Sequence, residues 1–185
     1  MSEEMLVCHC SPTLAGLKTG SLFSCPYSSQ KMIIKEIREF NQKLTQKGIR
    51  IIPVRISDKR MLVYVYRPEK LKEDFSDEKT QIILKCKGYD CTNLSQCICR
   101  LIQKLQSDPD FPHEIGLFLG YPAEDVKGFI ENKAACSKCS GCWKVYGDEQ
   151  AARILFKKYK KCTKNVEIFR RFFWIKKLHF IERWL

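Results

Sequence analysis

Pro112 and Pro122 impose the strongest local constraint on this chain. Proline fits a helix at its first turn, where the missing N–H has no partner to lose. The stretch 111–130 (FPHEIGLFLGYPAEDVKGFI) therefore predicts two short helices, 113–119 and 123–132, broken at Gly120-Tyr121 into a helix–turn–helix corner. Ile115, Leu117, Phe118 and Leu119 are too apolar for an exposed helix. Gly116 and Gly120, one turn apart, leave a side-chain-free strip for close approach of a backbone or ligand, which makes them candidate cofactor-binding positions. His113 and Glu114 fall in the first turn of the leading helix, and Glu124 and Asp125 in that of the second. Carboxylates there complement the helix dipole, whereas an imidazolium is disfavoured, which suits His113 to act as a neutral base or metal ligand. His113 and Glu114 are candidate catalytic residues; packing and capping are the competing structural explanation.

Around this corner the sequence predicts an α+β domain. Runs 49–56 (IRIIPVRI) and 61–66 (MLVYVY), joined by Ser57-Asp58-Lys59-Arg60, form a predicted hairpin. Pro53 cannot donate to a ladder, so its strand belongs at an edge or carries a bulge. A third strand is expected at 143–146, giving a small antiparallel or mixed sheet of about three strands packed with six or more helices. Predicted helices follow Ser11-Pro12, run over 31–47 with Ile33, Ile37, Phe40 and Leu44 on one face, and continue over 68–88. Another starts at Thr92 or Asn93, with Leu94, Cys97, Ile98, Leu101, Ile102 and Leu105 forming its apolar stripe. The last begins at Glu149 behind an Asp148 cap and has Cys162 at its end.

The 185 residues fit one domain over 1–164, followed by a basic aromatic extension over 165–185. Net charge is +12, but residues 157–183 hold ten Lys or Arg against two Glu, so the body is only mildly basic. The extension is suited to an anionic partner; no specific nucleic-acid motif accompanies it. The start MSEEMLVCHC has no leader pattern, and no apolar run is long enough to span a bilayer, so a cytoplasmic location is expected. Eleven cysteines in such a chain argue against a disulfide framework and for thiols, metal ligation or redox chemistry.

Cys136, Cys139 and Cys142 form a C-x2-C-x2-C run whose spacing lets thiolates converge on one ion, with Cys162 or one of Cys8, His9 and Cys10 as fourth ligand. Ligand type is compatible with zinc or an iron–sulfur cluster, although Tyr146 and Gly147 stand where a ferredoxin-type run continues with cysteine and proline. An unliganded loop of reduced thiols is the structural alternative. In the segment 8–18, His9 is a candidate cofactor contact and Lys18 a candidate catalytic or anion-binding residue, each with exposure on a surface as its plain alternative. A pocket shared by His113 and Lys18 is expected, since both segments are rich in small residues.

Four phrases carry a resemblance: HCSPTLAGLKTGSLFSC at 9–25, MLVYVYRP at 61–68, FPHEIGLFLGYPAEDVKGFI at 111–130 and CWKVYGDEQAARILFKKYKKC at 142–162. Together they resemble the bacterial domain-of-unknown-function family 3793, over roughly residues 5–162. The resemblance implies a small single-domain cytoplasmic protein, found mainly in anaerobic bacteria, and it brings no catalytic residue with it. The sequence thus supports three functions: a thiol- or metal-dependent redox or metal-handling protein, a small-molecule enzyme or sensor with its pocket at His113 and the segment 8–18, and a non-catalytic interaction module.

Overall fold

The computed structural model of the chain describes residues 1–107 and 110–173, with backbone only from 166 onward. Its elements are α1 (Glu3–Leu14), β1 (Gly20–Pro26), α2 (Gln30–Leu44), β2 (Arg50–Ile56), β3 (Arg60–Tyr66), α3 (Pro68–Ser76), α4 (Glu78–Cys86), α5 (Leu94–Ser107), α6 (Ile115–Phe118), α7 (Ala123–Glu131), β4 (Cys139–Ser140), β5 (Lys144–Val145) and α8 (Glu149–Phe173). The class is α+β.

β3 is the middle strand of an antiparallel sheet ordered β1-β3-β2. Apolar residues at nearly every position of MLVYVY follow from that place, because the strand is covered on both faces. Met61, Val63 and Val65 face a core built with Leu6, Cys10 and Leu14 of α1 and Ile33, Ile37, Phe40 and Leu44 of α2. Tyr64 and Tyr66 face the opposite core, made with α3, α4, α5 and the α6–α7 corner. Pro53 lies on an edge strand, and the register shifts between Pro53 and Arg55, so edge position and bulge both occur.

Two expectations need correction. The third strand of the sheet is β1, not 143–146; β5 pairs only with β4 in a separate two-stranded hairpin. Both edges of β3 are taken, by β1 and β2, and the backbone of Lys144 and Val145 is paired with β4. Ser11-Pro12 does not start a helix but lies in the last turns of α1, which also holds Cys8 and Cys10. Pro12 has no N–H to give the carbonyl of Cys8, and the chain leaves the helix two residues later. The end of the helix is closed by other groups: Pro12 O accepts from Leu17 N (2.8 Å) and Lys18 N (3.1 Å), and Gly16 adopts φ +73°. Arg67 then donates to Thr13 O (2.7 Å) and Leu14 O (2.6 Å), satisfying carbonyls at the helix end.

α8 runs unbroken past Cys162 and packs on α1, so the expected boundary at 165 falls inside a helix. The rest of the basic aromatic extension, 174–185, lies outside the described residues. Among the described residues, no helix is long and apolar enough to cross a membrane.

Candidate functional site

The corner predicted from Pro112 and Pro122 is present as α6 and α7, with Gly120 at φ +75° between them. Asp125, in the first turn of α7, is 3% exposed. Its carboxylate accepts from Trp143 Nε1 (2.6 Å), Tyr146 N (2.7 Å) and Gly147 N (2.8 Å). One side chain thereby clamps the β4–β5 hairpin onto the corner. Trp143, so fixed, stacks on Tyr121 at 4.7 Å and 24° and meets Phe156 edge-on at 4.5 Å. Gly141 lets the hairpin tip settle on Phe156, since a Cβ there would lie 2.2 Å from the ring.

Between corner and hairpin lies a cavity of about 340 Å³, at the small end of the range that holds organic ligands. Phe111, His113, Phe129 and Tyr121, on and around the α6–α7 corner, form one side; Cys142 and Trp143 close the other. A second cavity, about 570 Å³, runs between α4 and α7, where Ile82, Ile83 and Ile130 are flanked by Lys and Glu and no aromatic residue lines it. Aromatic walls and convergent polar groups favour the first as a ligand site.

The α1–β1 turn docks beside that first cavity. Lys18 Nζ lies 5.1 Å from the centroid of Tyr121, and Tyr121 donates through its hydroxyl to Cys142 O (3.4 Å). Burial lowers the Lys18 pKa to about 8, partly offset by the nearby Cys142 and Cys10 thiols. Burial raises Cys10 to about 12, and it raises Cys142 too, against the pull of Lys18 and Lys160. Tyr121 and Tyr159 are likewise raised by burial to about 12. Thr19, the next residue, donates to Asp74 Oδ2 (2.5 Å) and sits against Gly120, where a Cβ would meet Thr19 Oγ1 at 2.6 Å.

The residues singled out by sequence thus separate into groups. His113 is exposed and lines the cavity, its ring edge-on to Phe129 at 5.0 Å, whereas Lys18 is not among the lining residues and lies over the ring of Tyr121, which is. Glu114 turns the other way. It is buried, accepting from Lys104 Nζ (2.8 Å) and Tyr89 Oη (3.0 Å). Burial alone would raise its pKa, but the Lys104 hydrogen bond and charge hold it below the ordinary carboxylate value. The glycine strip is filled by the protein itself: a Cβ on Gly116 would meet Val126 at 2.8 Å and Tyr121 at 3.1 Å. His9 stacks on Phe23 at 5.1 Å and takes no part in lining the cavity.

The cysteine run is not gathered. Cys136 is exposed at φ +57°, Cys139 sits in β4 against the Trp143 cluster, Cys142 flanks Lys18, and Cys162 is half-buried on α8. Among the described residues, no three His, Cys, Asp or Glu side chains converge as metal ligands. Cys139 is held in the ladder opposite Val145, while Cys136 and Cys142 lie outside it. Tyr121, Asp125, Phe129 and Trp143 were not among the candidates. The density of aromatics on both sides of the cysteine run was their available signal.

Neither the curated proteins nor the solved structures contain a match to the chain. The family described as "Protein of unknown function (DUF3793)" matches residues 6–176, nearly the whole chain and further than the four phrases reach, and the chain belongs to that family.

Proposed function

We propose that the protein binds a small organic molecule in the cavity between the α6–α7 corner and the β4–β5 hairpin. The observation that carries this reading is the aromatic cavity whose two walls are locked together by the buried Asp125 carboxylate. A preformed, mostly apolar hollow with a few polar groups at its edge is the usual form of a small-molecule site. His113, Tyr121 and Trp143 are the proposed contact residues, with Lys18 beside them. Binding is favoured over acid–base catalysis because the neighbouring carboxylates are committed elsewhere, Glu114 to Lys104 and Tyr89 and Asp125 to the hairpin. A metal-handling role draws no support from the described residues.

Calorimetric titration with a neutral aromatic probe, 2-naphthamide, tests the reading. Wild-type protein is expected to bind one equivalent with a dissociation constant on the order of 0.1–1 mM, as suits a ligand of that size. Ser140→Trp, which places a large ring at a lining position, is expected to weaken binding at least about ten-fold without lowering the melting temperature. Equal binding by the two proteins, or none by wild type, contradicts it.

A further inference from the structure

Resting on the small-molecule reading, we infer that the cavity's ligand carries a carboxylate and that the Lys18 ammonium is its counter-charge. Three other cations held partly out of water each have a partner. Lys104, whose side chain is 14% exposed, has Glu114 and the carbonyl of Lys87. Arg67 spreads its guanidinium over the carbonyls of Thr13, Leu14 and Lys47. Lys144 donates to Ala134 O. Lys18 differs. It is half-buried, its backbone is pinned by Pro12 O, and its ammonium lies over the face of Tyr121, with the Cys142 and Cys10 thiols near enough to act on its charge. Among the described residues it has neither a carboxylate nor a hydrogen-bond acceptor. A cation held out of water without an anion is unfavourable, and a ligand's anionic group removes the deficit.

Both Tyr121 and Cys142 line the cavity, so the unmatched charge adjoins the hollow rather than standing apart from it. The cavity's own carboxylate, Asp125, is saturated by Trp143, Tyr146 and Gly147 and does not turn to Lys18. One lysine, with no arginine fork beside it, matches a singly charged carboxylate better than a phosphate, whose three oxygens call for several donors. The ligand class is therefore an aryl or alkyl carboxylate whose apolar body lies among Tyr121, Trp143 and Phe129.

The titratable groups around Lys18 keep its signal clean. Cys10 from α1, Tyr121 from the corner and Tyr159 from α8 are raised to about 12, Cys142 from the hairpin is raised above its ordinary 9.0, and burial raises Asp74 from α3 above 3.8 against its hydrogen bond from Thr19. Between pH 7 and 9 the change is chiefly that of Lys18. Anion binding favours the ammonium, so affinity is full below about 8 and falls as pH rises above it.

Calorimetry with 2-naphthoate, 2-naphthamide and 2-naphthyl phosphate decides the matter. At pH 7 the acid is expected to bind at least ten-fold tighter than the amide, with the preference shrinking above pH 8. Lys18→Met is expected to lose the preference while binding the amide as wild type does, and Lys18→Arg to keep most of it. Equal binding of acid and amide overturns the carboxylate inference and leaves the cavity reading standing, as does an acid preference unchanged in Lys18→Met. Tighter binding of the phosphate overturns the ligand class. Binding of none of the three overturns the cavity reading as well.

Discussion

Lys18 is held at a cost, and that cost can be measured apart from any ligand. Its pKa of about 8 in the folded protein lies below the ordinary 10.5. The unfolded chain therefore binds more protons between those values, and stability contributed at this position rises as pH climbs from 8 to 10.5. At pH 7 the charged group is a net liability, which a methionine of similar reach removes while keeping the packing on Tyr121. Lys18→Met is expected to raise the melting temperature by about 2–4 °C at pH 7, with the gain vanishing near pH 10.5. Thermal melts across that range check it; a lowered melting temperature at pH 7 would show that Lys18 has a stabilising partner after all. Glu114 is the opposite case. The same sequence position that suggested a catalytic carboxylate next to His113 gives a structural one, because adjacent residues in a tight helical turn point about 100° apart and only Glu114 faces Lys104 and Tyr89.

At the level of elements, the β4–β5 hairpin depends on one residue of α7. Two residue pairs make a ladder far too short to stand alone, so its position comes from Asp125 and from the Trp143–Phe156–Tyr159 packing. Asp125→Ala leaves three donors without a partner and is expected to destabilise the protein by about 3 kcal/mol or more, measured by urea denaturation, and to abolish ligand binding as the cavity wall moves. A loss under about 1 kcal/mol would mean that packing alone seats the hairpin. The corner itself, the β2–β3 hairpin with its edge proline, and the apolar faces of α2 and α5 were legible in the sequence, because proline chemistry and periodicity act locally. β1 was not legible. Its residues, Gly20 to Pro26, mix small and polar types and end in proline, and it is a strand only because the antiparallel ladder of β3 accepts it, Gly20 allowing Phe118 O and the Tyr64 ring to approach where a Cβ would lie 2.6 and 2.7 Å away. The Ser11-Pro12 pair misled for a related reason: a helix-start signal and a proline in a last turn look alike until the groups that satisfy the turn, here Leu17, Lys18 and Arg67, are known.

Across the whole molecule, the candidate site is assembled from segments far apart in sequence: the α1–β1 turn, the α6–α7 corner and the β4–β5 hairpin. Sequence alone placed His113 and Lys18 among the candidates but not the aromatic walls between them, because Tyr121 and Trp143 acquire their role only when Asp125 draws the hairpin onto α7. Cysteine spacing suggested a metal centre at the same hairpin; among the described residues no three ligating side chains gather there, and Cys142 lines the cavity instead. The central claim is that this cavity, rather than the larger groove between α4 and α7, receives a ligand. The indole N–H of Trp143, donated to Asp125 at 2.6 Å, is a direct reporter of it. In a nitrogen–proton correlation spectrum titrated with 2-naphthoate, and with the indole signal assigned through Trp143→Phe, the account predicts saturable shifts at the Trp143 indole and at the amides of Gly141 and Phe129. Shifts centred instead on Ile82, Lys87 and Ile130 of the other groove, or no saturable shift at Trp143, would contradict it.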